Sequence, residues 1–88
     1  FQAPPRHALW LLPCASVHTL GMRFSLHILF LDAEGTVLRS VPDVPAGRMF
    51  AMKGSRSVLE IPADALPVTA LPEVGSHITF QPIPENSQ

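Results

Sequence analysis

The sequence predicts a mainly β protein: a small barrel- or sandwich-like domain with one central hairpin and one short helix. Three observations carry this reading. Ten prolines are spread over 88 residues, and each removes a backbone donor and turns its predecessor away from helix. Phe24, Leu26, Ile28 and Phe30 alternate with Ser25, His27, Leu29 and Leu31, which is the two-residue period of a strand. That run ends in Asp32-Ala33-Glu34-Gly35, with Asp opening the turn and Gly closing it, as type I turns prefer.

The elements follow in order along the chain. Ala8–Leu12 is a short apolar run stopped by Pro13 and reads as a buried strand. The segment Cys14–Phe24 reads as a loop crossing an end of the sheet. Phe24–Asp32 reads as the central strand, covered on both sides because Leu29 and Leu31 make its second face apolar too. Thr36–Val41 is its hairpin partner. Pro42–Gly47 reads as a loop, and Arg48–Gly54 gives no clear pattern. Ser57–Ile61 alternates and ends at Pro62, another strand. Ala63–Leu71 has room for only a helical turn or two, starting near Pro67, because Pro67 and Pro72 interrupt it. Glu73–Ser76 is a turn that delivers His77–Phe80 as a last strand, with Ile78 and Phe80 facing inward.

Length and composition bound the class of protein. Residues 1–88 make one domain, with a compact part of about 8–81 and loosely held ends at 1–6 and 82–88. A chain this short buries roughly 60–65% of its unfolded surface. Hydrophobic residues make up 47% of the chain, charged residues 15%, and the formal net charge is −1. These values exclude a disordered chain and a polybasic nucleic-acid binder. One cysteine excludes an internal disulfide framework and a four-cysteine zinc site. No uncharged stretch reaches the ~20 apolar residues of a membrane span, and no signal-peptide pattern is present. A cytoplasmic protein is the expectation, with a targeting segment removed ahead of Phe1 left open.

The stretch Pro13-Cys14-Ala15-Ser16-Val17-His18-Thr19-Leu20-Gly21-Met22-Arg23-Phe24 carries a resemblance. Together with Ile28–Asp32 and Gly35–Leu38 it resembles the bacterial and archaeal domain-of-unknown-function family 192. Gly54–Ala63 is similar to that family's "vleip-a" strand, and Val74–Phe80 to its closing element. The likeness spans roughly Ala8 to Phe80. It implies a compact barrel- or sandwich-like β domain and no established activity. Three departures stand out: Ser25 where the family commonly has Pro, His27 where it commonly has Asp, and Ser76 where it has Asp. The family's usual upstream Gly-Leu-Met or Gly-Leu-Leu element has no counterpart here.

The residues that could carry chemistry lie mostly between Cys14 and His27. Cys14, Ser16, His18, Thr19, Gly21 and Met22, with His27, are the candidate binding residues. Cys14 and His18 are four apart in the loop after Pro13, a pair that could serve as nucleophile and base provided the imidazole lies within hydrogen-bond reach and lowers the thiol pKa. No oxyanion hole is evident, and the acids Asp32, Asp43, Glu60 and Asp64 match no known pattern, so no residue is assigned a catalytic role. Cys14, His18, His27 and His77 also offer thiolate and imidazole ligands suited to zinc or copper, but only the first two have close-pair spacing. The simpler reading is a packed thiol and hydrogen-bonded imidazoles. Arg48, Lys53 and Arg56 form a basic edge without a glycine-rich phosphate loop. Three functions follow, one of them a purely structural or oligomerisation unit. The first is a non-enzymatic module binding a small molecule or a protein, as a monomer or weak homodimer and without a cofactor. The alternative is a Cys/His-dependent enzyme or metal-binding module centred on Cys14, His18 and His27.

Overall fold

The computed structural model describes residues 8–13, 15–18 and 24–80. Among them six strands form: β1 (Leu9–Leu11), β2 (Ser16–His18), β3 (Leu26–Leu31), β4 (Val37–Val44), β5 (Met49–Ala51) and β6 (Ser57–Pro62). Four make one antiparallel sheet in the order β1-β6-β3-β4, and β2 and β5 pair as a separate antiparallel ribbon. The fold is mainly β, as expected. The larger sheet is open, with β1 and β4 at its edges, so the sandwich-like description applies and the closed barrel does not.

The alternation in β3 explains its central place. Every residue from Leu26 to Leu31 is buried. Leu26, Ile28 and Phe30 point to one face, where Val58 from β6, Val44 from β4 and Val17 from the ribbon complete a core. Leu11, Phe24, Val41, Phe50 and Met52 close around it. Leu29 and Leu31 point to the other face and pack with Val37, Leu59, Ile61 and Ile78. The ribbon therefore covers the first face and the C-terminal segment the second. Full burial of a side chain such as Phe30 or Ile28 contributes about 1.5–3 kcal/mol, so β3 is the main source of stability.

The hairpin expected between β3 and β4 is present. Asp32 Oδ1 accepts the amides of Glu34 and Thr36 at 2.9 Å each, and the Gly35 amide donates to the Asp32 carbonyl at 3.1 Å. Gly35 has φ +86°, a left-handed conformation that glycine adopts at least cost.

Several expectations need correction. Ala8–Leu12 supplies β1, but as an edge strand with Leu9, Trp10 and Leu12 exposed, because nothing among the described residues pairs with its outer side. The crossing segment read as loop contains β2, and the unassigned Arg48–Gly54 contains β5. These two short strands pair with each other over the core beneath, and Arg39 of β4 holds β5 by donating Nη1–H to the Ala51 carbonyl at 3.1 Å and lying 5.3 Å over the Phe50 ring. β4 runs on to Val44 through the expected loop, taking up Pro42 and Asp43 as a bulge where Leu26 pairs with Val44 but Ile28 with Val41. The short helix is two separate 3₁₀ turns, Ala63–Ala65 and Val68–Ala70, since Pro67 interrupts the amide series between them. His77–Phe80 is not a strand. It contributes one bridge, Thr36 to His77, and Phe80 is 37% exposed. Residues 1–6 and 82–88, expected to be loosely held, lie outside the described residues.

Candidate functional site

The sequence-derived candidates divide sharply. Cys14, Thr19, Gly21 and Met22 lie outside the described residues. Ser16 and His18 begin and end β2, paired with Ala51 and Met49. His27 sits in β3, 1% exposed. The sheet itself separates His27 from β2: the ribbon packs on the face of Leu26, Ile28 and Phe30, whereas His27 points to the opposite face.

The His27 ring is engaged at both nitrogens. The Asp43 amide donates to Nδ1 at 3.1 Å, and Nε2 lies 2.7 Å from the Leu66 carbonyl. An amide N–H can only donate, so Nδ1 is the acceptor and Nε2 carries the proton. The ring thus ties the Asp43 bulge, where φ is +51°, to the segment between the two 3₁₀ turns. Serving as a metal ligand or a base would require one of these bonds to break. Among the described residues, no three His, Cys, Asp or Glu side chains converge on a possible metal position.

Glu60 lies in β6 on the ribbon side of the sheet, opposite Leu9 on one neighbour and Ile28 on the other. Its carboxyl is half-buried between these apolar neighbours, and burial raises its pKa above the ordinary 4.5.

A concavity lies elsewhere, on the C-terminal face at the hairpin end of the sheet. It is an open cleft of about 370 Å³, within the size range of small-molecule sites. Its construction can be followed residue by residue. The C-terminal segment is tied to the start of β4 by Gly75 N to Val37 O, Val37 N to Ser76 O and Ile78 N to Gly35 O, each 2.8 Å. This approach is so close that a Cβ on Gly35 would stand 2.5 Å from the Ile78 carbonyl oxygen. From there the segment reaches the far edge of the sheet, where the Phe80 ring stacks on Trp10 with centroids 3.9 Å apart and planes within 8°. Trp10 stands in the row of Leu59 and Leu29. The stacked pair, Leu12 and Ile78 supply apolar walls, while Arg56, His77, Asp32 and Glu34 supply the polar groups. Arg56 is fixed at its root by its amide, which donates to the Leu31 carbonyl at 2.8 Å.

The sequence offers His77 only as a possible metal ligand, Asp32 only as a candidate acid and Arg56 only as part of a basic edge, and it marks neither Trp10 nor Phe80 as a site residue. Trp10 and Phe80 are seventy positions apart, and their stacking depends on the path of the irregular C-terminal segment. The one available signal was a lone tryptophan beside a proline-terminated apolar run, which read as core. No family model matches the chain, and no curated protein or solved structure does so either.

Proposed function

We propose that the protein is a non-enzymatic binding module that takes a small molecule in the cleft between Trp10, Arg56 and Phe80. One observation carries the reading: an aromatic wall and a few polar groups converge on a cavity of about 370 Å³, the usual make-up of a ligand site. Similarity to domain-of-unknown-function family 192, which has no established activity, belongs to the same proposal and is compatible with it. Trp10 is the only tryptophan and the chain has no tyrosine, so intrinsic fluorescence reports on the cleft directly. A small-molecule screen followed by Trp10 emission should yield ligands that shift it. Arg56→Ala should weaken the anionic ones while leaving the unfolding midpoint unchanged. A screen whose hits bind without perturbing Trp10 would place the site elsewhere.

A second reading is Cys/His chemistry at Cys14 and His18, with Glu60, which lies on the ribbon side of the sheet opposite Ile28, as its candidate acid–base group. Its test is the rate of Cys14 alkylation against pH. A fast rate that Glu60→Gln alters would support it, and the rate of an inert thiol in both proteins would dismiss it.

A further inference from the structure

We infer that the cleft selects planar aromatic carboxylates, an inference that rests on the cleft being the binding site. The aromatic half of the argument is the wall. Trp10 and Phe80 are 42% and 37% exposed even though they stack on each other, so ring surface remains uncovered at the cleft. A third planar ring extends such a stack and buries that surface, with offset or edge contacts preferred.

The anionic half rests on which charged groups are uncommitted. Asp32 spends Oδ1 on two turn amides, so that carboxylate is already part of the hairpin. Arg56 enters no ion pair among the described residues, while its backbone is held against Leu31. A guanidinium with a fixed root is suited to bidentate capture of a carboxylate. His77, whose ring lies beside Gly35 at the same cleft, adds a second donor, its ring N–H. An aromatic wall also attracts cations, but a cation here would meet the Arg56 charge. The attraction left for it comes from Glu34, at the exposed tip of the turn, and from the charge that Asp32 keeps on its hydrogen-bonded carboxylate.

The test uses four probes on the intact chain: 2-naphthoate, 2-naphthamide, 2-naphthylmethylammonium and cyclohexanecarboxylate. Binding is followed through the single Trp10 indole N–H resonance. The expectation is that 2-naphthoate binds about tenfold more tightly than the amide, the gain of a charge-assisted contact. Arg56→Ala should weaken 2-naphthoate about tenfold relative to the amide and so erase that difference. Equal affinity of the two, or preference for the ammonium, would overturn the anion selectivity while leaving the cleft as the site. Cyclohexanecarboxylate binding as tightly as 2-naphthoate would overturn the aromatic requirement. If no probe moves the Trp10 resonance, the cleft is not a binding site, and both this inference and the function it rests on fall.

Discussion

The two faces of β3 are closed by different means. On one, Leu26, Ile28 and Phe30 meet the β2–β5 ribbon through apolar contact, with Val17, Phe50 and Met52 filling the interface. On the other, His27, Leu29 and Leu31 meet a C-terminal segment whose regular structure amounts to two 3₁₀ turns and one bridge. That segment is positioned by individual hydrogen bonds: His27 to Leu66, and Gly35 and Val37 to residues 75–78. The difference teaches that a sheet can be covered by chain without secondary structure, provided its backbone polar groups find specific partners. It also explains where the cleft lies. Apolar contact closes up, whereas a segment held at a few points spans a gap.

The largest expected effect is on the ribbon face. Phe30→Ala removes a fully buried ring and should cost about 3–5 kcal/mol, leaving little native population in a domain of this size. Urea titration measures it, and a loss under about 1 kcal/mol would show that this face is not the main core. Next comes Gly35→Ala, which combines a left-handed φ with a Cβ driven against the Ile78 backbone. Strain and overpacking together should cost about 2–4 kcal/mol. Amide shifts should concentrate at Thr36, Val37 and Ile78, and Trp10 emission should change as Phe80 is displaced. Unchanged emission would mean that the stack does not depend on this anchor.

His27→Leu sharpens the comparison by keeping bulk while removing both ring bonds. Stranding the Leu66 carbonyl and the Asp43 amide should cost about 1–3 kcal/mol, with faster amide exchange at Asp43. A variant as stable as the parent would show that the two ring bonds do not hold this face closed. The smallest effect concerns Glu60. Because burial raises its folded pKa above 4.5, the folded state holds its proton more tightly than the unfolded state does. The group therefore penalises stability little below pH 4.5 and increasingly as pH rises through the folded pKa. Glu60→Gln should be the more stable protein at pH 7 by less than about 1 kcal/mol, given solvent screening of a half-exposed carboxyl. The two proteins should converge in acid, and a constant difference from pH 3 to 8 (spanning about the ordinary carboxylate range) would show that the titration of Glu60 is not linked to folding.

What the sequence determined by itself is the part of the fold built from local signals. The alternation from Phe24 to Phe30 fixes a two-sided strand, Asp32 and Gly35 fix its turn, and the pattern of Ser57–Ile61 ending at Pro62 fixes the third member of the sheet. Each signal lies within a few residues, so a period or a turn preference suffices to read it. The tertiary structure alone decided the rest. β2 and β5 are three residues each, too short to show a period, and exist because they pair with each other over an apolar face. β1 is apolar yet exposed because it falls at an edge, and edge position is a property of the assembled sheet. His27 could be read from sequence only as a histidine on a strand, since its partners at Asp43 and Leu66 are 16 and 39 residues away. The cleft was least legible of all: it depends on an irregular segment bringing Phe80 onto Trp10, and no pattern encodes a contact that specific hydrogen bonds to a distant turn create.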